Sequence, residues 1–261
     1  MQRVTFTNSR NLTLVGNLYP STAKSIVILS HGFTSDKSSR GRHELLAGSL
    51  VRSGFSALAF DFSGSGESDD DLLTIENQVD DLNSAVGFAE SEGYQDIALQ
   101  GHSLGGLISL MSYSPLIITM VLTGPVTGPV NYLWEEYYSR DRLDELRKNG
   151  RLEVEVESRW RQQVTVGSLL LETFATIDQE RLLTGVKCPL LIIHGNSKED
   201  EEERMLLATT RRGIKYLPEG SRLDVIEEAG HSFTGHMDEV VDKTVDWYTN
   251  HLPDGGSHER E

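Results

Sequence analysis

The chain has a single cysteine, Cys188, among its 261 residues. No internal disulfide can staple it, so a buried core must hold the fold, and this usage suits a reducing compartment. Cys188 stands before Pro189 at the mouth of an apolar run and reads as a small core residue rather than a nucleophile. Long hydrophobic runs are also missing. Stretches such as Leu116 to Leu122 are far too short to span a bilayer, and Met1 to Phe6 has no apolar signal core. A soluble, cytoplasmic protein with no membrane partner is expected. Positive charge is scarce, with 24 Lys and Arg against 40 Asp and Glu, a net charge of −16. Binding a phosphate backbone or anionic lipid needs clustered cations, so no nucleic-acid partner is expected. The acidity reads as a self-repelling, soluble surface. Internal repeats and low-complexity segments are absent.

Strands that alternate with helices are present. Val4 to Thr7 and Leu12 to Leu18 suit an opening antiparallel hairpin. Ser25 to Ser30, Ser56 to Asp61, Asp96 to Gln100, Ile117 to Leu122 and Pro189 to His194 are near-continuously apolar, as strands covered on both faces should be. Leu223 to Ile226 closes the series. Helical spacing falls over Glu44 to Ser53, Val79 to Ala89, Gly106 to Met111, Glu202 to Arg212 and Met237 to His251. This rhythm predicts an α/β fold, a mostly parallel sheet with helices on both faces. Between about residues 125 and 177 the rhythm breaks. Trp134 to Lys148 reads as a charged helix, Leu152 to Val156 alternates strictly, and Gln163 to Val166 can pair with it. So long a stretch is not a structureless loop, and it predicts a small inserted cap of helix plus hairpin. One domain over residues 1–252 is expected, with a flexible tail at 253–261.

Gly101-His102-Ser103-Leu104-Gly105 lies between a strand pattern and a helix pattern. That context predicts a nucleophile elbow, with the Ser103 hydroxyl lifted to the N-terminus of a helix. Serine needs a base, an orienting carboxylate and oxyanion donors. In an open α/β sheet these gather at the carboxyl ends of strands. His231 follows a late strand, with Gly230 allowing a turn and Phe233 anchoring the loop, and is the expected base. His236 reads as a surface residue at the last helix, His102 as structural, and His194 as a support for the acid loop. The acid is expected in the run Lys198 to Glu203, at Asp200 with Glu199 as rival, because carboxylates at Asp200-Glu201 suit a helix N-terminus. The oxyanion donors are expected to be the N–H groups of Leu104 and Phe33. The Gly64-x-Gly66 turn lacks the third glycine and the lysine of nucleotide-binding loops.

Five motifs occur in order: His31-Gly32-Phe33, Asp61-x-x-Gly64-x-Gly66-x-Ser68, Gly101-His102-Ser103-Leu104-Gly105-Gly106, His194-Gly195 and Gly230-His231-Ser232-Phe233. Together they resemble the α/β-hydrolase superfamily over nearly the whole chain. His31-Gly32-Phe33-Thr34 and the mid-chain insertion look like the bacterial cinnamoyl (feruloyl) esterase-type serine hydrolases. The resemblance implies an eight-stranded-type sheet, Ser103 as nucleophile, His231 as base, and Phe33 with Leu104 as oxyanion donors. The chain departs from the pattern where Lys198 stands in the usual place of the acid. The resemblance also implies a cap over the acyl pocket, which Trp134, Tyr137, Tyr138 and Trp160 could line; equally, they could form the cap's own core.

The expected activity is hydrolysis of carboxylic esters through a Ser-His-Asp triad. The expected partner is a small-molecule ester, a homodimer is allowed, and no metal or organic cofactor is implied. The rival readings are thioester or peptide hydrolysis on the same triad, and a non-catalytic ligand-binding relative.

Overall fold

A computed structural model describes residues 1–253. The chain opens with a hairpin of β1 (Gln2–Thr7) and β2 (Thr13–Tyr19), then β3 (Ser25–Ser30), α1 (Arg42–Arg52) and β4 (Ser56–Phe60). A two-residue strand, β5 (Leu72–Leu73), precedes α2 (Ile75–Ser91). Next come β6 (Asp96–His102), α3 (Leu104–Met111) and β7 (Ile117–Thr123). The insertion holds a 3-10 turn at Trp134–Glu136, α4 (Arg140–Asn149), β8 (Arg151–Glu155), β9 (Gln163–Gly167), α5 (Ser168–Thr176) and α6 (Gln179–Gly185). The chain then returns through β10 (Leu190–Gly195), α7 (Glu201–Gly213), β11 (Arg222–Ile226) and α8 (Met237–His251).

Eight strands form one sheet in the order β1-β2-β4-β3-β6-β7-β10-β11. Only the β1–β2 and β2–β4 pairings are antiparallel. The two faces separate by residue parity, as the strand pleat requires. Ile26 and Ile28 pack in one core with Leu82 and Leu107 from α2 and α3. Val27 and Leu29 pack in the other with Leu50, Trp247 and Tyr248 from α1 and α8. Helices therefore cover both faces, as the apolar strands require. From β3 the chain proceeds to β4 on one side, while β6 lies on the other. The loops after β3 and β6 thus diverge at the switch point, where open α/β sheets bind ligands.

The cap differs in detail from its sequence pattern. Trp134 to Lys148 is not one helix, because Ser139 is extended (φ −60°, ψ 157°) and separates the 3-10 turn from α4. The hairpin forms, with Val154 opposite Val164, and β5 extends it by pairing parallel to β9. Thr74 caps α2, its Oγ1 accepting the Asn77 N–H at 3.1 Å, so that helix starts earlier than the periodicity alone indicated. At the C-terminal end, the Ser25 hydroxyl donates to the Pro253 carbonyl at 2.6 Å; the rest of the expected tail, 254–261, lies outside the described residues. Among the described residues no helix is long and apolar enough to cross a membrane.

Candidate active site

Ser103 joins β6 to α3 with φ 55° and ψ −119°, a conformation rare for a residue with a side chain. The turn is that tight because the backbones nearly touch: a β-carbon on Gly105 would lie 2.3 Å from the Ser30 carbonyl oxygen. Only glycine fits there. The strained turn presents the Ser103 Oγ to the His231 Nε2 at 2.9 Å.

The other ring nitrogen, Nδ1, meets Glu203 Oε2 at 2.7 Å. The structure places Glu203, rather than the expected Asp200 or Glu199, against the ring. Asp200 caps α7, its Oδ1 accepting the Glu203 N–H at 2.9 Å and its Oδ2 the backbone N–H of His231 at 2.7 Å. Both oxygens are bound to backbone donors, so Asp200 holds the histidine loop and leaves the imidazole free. Glu199 is exposed. Glu203 sits in the first turn of α7, and its longer side chain reaches back to the ring. The signal was present in the sequence: Glu203, Leu206, Leu207 and Thr210 form a stripe at helical spacing, and all four are buried. A carboxylate on an apolar stripe needs a partner.

Glu203 is completely buried and its second oxygen is also satisfied. Oε1 accepts the Gly195 N–H and the His194 Nδ1–H, each at 2.8 Å. The His194 Nε2 meets the Thr210 hydroxyl at 2.9 Å, which meets Thr127 at 2.8 Å. Burial opposes ionisation of Glu203, but the bonds from His194 and His231 outweigh it and bring its pKa down to about 2. For His231, burial disfavours the charged ring, and the Glu203 bond and charge, with Glu202 and Asp200, overcome this and raise its pKa. A neutral ring donating from Nδ1 to Glu203 turns the Nε2 lone pair toward Ser103. Gly124 makes room for this pair. It has φ 54°, and a β-carbon there would lie 2.9 Å from the His231 Nδ1 and 3.0 Å from Glu203.

The N–H groups of Phe33 and Leu104 have no hydrogen-bond partner among the described residues. The loop carrying Phe33 lies against the elbow, since a β-carbon on Gly32 would come within 3.3 Å of the Ser103 Cβ. His102 is buried and bound at both nitrogens. Nδ1 faces the Thr123 carbonyl at 3.1 Å, and Nε2 accepts from Arg42 at 3.1 Å. Burial, with the Arg42 charge, drives its pKa well down. Its ring lies 5.0 Å from that of His231, closer to the site than the structural role read from sequence implies. His236 is half-buried at the start of α8, where its Nδ1 meets the Thr234 carbonyl at 3.2 Å.

Ser103 opens into a cavity of about 630 Å³. Trp134, Tyr137, Tyr138 and Trp160 all line it, with Tyr132 and Phe174, which the sequence reading did not single out. The rings also pack on one another, Tyr132 on Trp134 at 4.9 Å and on Phe174 at 5.3 Å. Phe174 thus belongs to both pocket wall and cap core, while the rest of the cap core is aliphatic, with Leu143, Leu146, Leu152, Val164 and Val166 buried. The Tyr132 hydroxyl donates to Glu202 at 2.9 Å, linking the cap to the helix that carries Glu203.

A family model described as alpha/beta hydrolase family matches residues 26–243. No curated protein matches the chain. Among solved structures, the fold is similar to that of Est1E from Butyrivibrio proteoclasticus with ferulic acid bound, at 18% identity and a TM-score of 0.72. That alignment covers 95% of this chain and 98% of the other. It is similar to the Pyrococcus furiosus esterase Pf2001 at 20% identity and a TM-score of 0.72, covering 96% and 91%. GrgF from Penicillium sp. sh18, an alpha/beta hydrolase, aligns at 17% identity and a TM-score of 0.76, covering 96% and 98%.

Proposed function

From a chain that belongs to the alpha/beta hydrolase family, we propose a serine esterase that cleaves carboxylic esters through Ser103, His231 and Glu203. The observation that carries this reading is the unbroken hydrogen-bonded line from the Ser103 Oγ through His231 to buried Glu203, ending in a deep cavity. Ser103 attacks the ester carbonyl as His231 Nε2 takes its proton. Glu203 stays ionised and stabilises the imidazolium that forms. The Phe33 and Leu104 N–H groups hold the tetrahedral oxyanion, aided by the α3 N-terminus. His231 then protonates the leaving alcohol, and water repeats the cycle on the acyl-enzyme. The aromatic wall suits an aromatic acyl group of the cinnamoyl or feruloyl kind, flat enough to lie against Trp134 and Phe174; short-chain acyl groups fit the same cavity. The single buried cysteine suits a cytoplasmic setting.

The test is a panel of p-nitrophenyl esters from acetate upward, with methyl ferulate, on wild type and Ser103→Ala. A burst and turnover in wild type, both lost in Ser103→Ala, are expected. Equal turnover in the two proteins overturns the scheme. Thioester or anilide analogues of the preferred acyl group, run alongside, rank the leaving group.

A further inference from the structure

We propose that the tip of the cap hairpin, residues 156–162, positions the oxyanion loop, residues 33–40, in addition to walling the pocket; this rests on the serine-hydrolase reading above. The tip is closed by the Val156 N–H donating to the Gln162 carbonyl at 2.9 Å. It grips the core at three places. The Ser158 hydroxyl donates to Asp36 Oδ2 at 2.8 Å. The Trp160 ring lies over the Lys37 ammonium, 4.0 Å from Nζ to centroid. The Arg161 guanidinium donates to the Ser68 carbonyl at 2.7 Å and pairs with Asp70.

Two of these anchors, Asp36 and Lys37, come three and four residues after Phe33. Lys37 is only 1% exposed. Its ammonium bonds Asp61 and reaches Glu67 at 2.7 Å, and its N–H donates to Asp61 at 2.6 Å. The loop is therefore pinned from the core side by Asp61 and from the cap side by Trp160 and Ser158.

The loop needs such pinning. Thr34, Ser39 and Arg40 all adopt left-handed backbone conformations, with φ of 53°, 49° and 58°. Three non-glycine residues in that region within one short loop persist only where the surroundings over-determine them. The hairpin supplies part of that constraint. Because Gly32 lies against the Ser103 Cβ, relaxation of the loop moves the Phe33 N–H relative to the nucleophile. Oxyanion donors act only at close, fixed distance, and losing one costs about 10²–10³-fold in turnover. A partial displacement that keeps the donor should cost less than its loss, on the order of tenfold.

The test uses vinyl acetate, whose acyl and alcohol parts are too small to need the aromatic wall. Trp160→Leu and Ser158→Ala should each lower kcat about tenfold with KM within about twofold of wild type. Trp160→Phe keeps a ring over Lys37 and should recover most of the loss. If Ser158→Ala and Trp160→Leu leave kcat on vinyl acetate unchanged and alter only KM for bulky aromatic esters, the tip is a wall and the proposal is overturned. Should Trp160→Leu fail to fold, Ser158→Ala, which removes a single hydroxyl, decides alone. Should wild type hydrolyse no ester, the esterase reading fails, and the ratio of fluorophosphonate labelling rates between wild type and Ser158→Ala still decides the positioning role.

Discussion

The floor and the roof of the pocket hold their side chains by different means. On the floor, Glu203 is wholly buried and takes three hydrogen bonds, from Gly195, His194 and His231, all between 2.7 and 2.8 Å. On the roof, Trp134 lies among Tyr132, Tyr138 and Phe174 at centroid separations of 4.9, 6.4 and 6.0 Å. Hydrogen bonds are directional and fix atoms to a few tenths of an ångström, as proton transfer requires. Ring contacts fix a shape and tolerate exchange for another apolar side chain. Damage to the floor should therefore stop turnover, and damage to the ring cluster around Trp134, away from the hairpin tip that pins the Phe33 loop, should change which ester is turned over.

Among variants that leave Ser103, His231 and Glu203 in place, the largest effect is expected from Gly124→Ala, which places a methyl group against both His231 and Glu203. Turnover should fall toward the roughly 10⁴-fold loss that follows removal of an orienting acid. Methyl ferulate and acetate esters should suffer alike; a loss confined to one of them breaks the division between floor and roof. Next, Phe174→Ala or Trp134→Ala should lower kcat/KM for aromatic acyl esters by about 10- to 200-fold while sparing acetate, the range expected for apolar pocket contacts. Ser103 labelling rates should be unchanged in both variants.

The pH profile sharpens the same contrast. In the proposed mechanism His231 must be neutral to accept the serine proton, and the Glu203 contact raises its pKa above the ordinary value. Activity should therefore rise with pH along an acid limb centred above about 6.5, in wild type and in roof variants alike. The smallest effect concerns Asp200→Ala. Losing this cap should cost about 1 kcal/mol of stability, read as a lowered melting midpoint, with turnover reduced less than tenfold.

The core was legible because each strand buried on both faces is a continuous apolar run, and because the elbow's glycines are demanded by contacts that no side chain survives. Ser103 and His231 stand out in the sequence by their place after strands, and the geometry brings them within 2.9 Å. Asp200 stands out over Glu203 in the sequence because a carboxylate at the position that opens a helix is the commoner sight. Its place on the buried stripe with Leu206, Leu207 and Thr210 is a longer-range signal than the N-terminal rule. The cap was legible as a hairpin but not in its attachment. A two-residue strand such as β5 has no period to read. Tyr132 and Phe174 join the pocket through contacts that tertiary packing alone creates, and α5 and α6 follow the hairpin with no break that the alternation marks.

The central claim is that Glu203, not Asp200, orients the base. Its most direct test is the burst rate with p-nitrophenyl acetate for wild type, Glu203→Gln and Asp200→Asn at matched folded concentrations. The account predicts acylation about 10⁴-fold slower in Glu203→Gln and within tenfold of wild type in Asp200→Asn. A slow Asp200→Asn beside an active Glu203→Gln would contradict it.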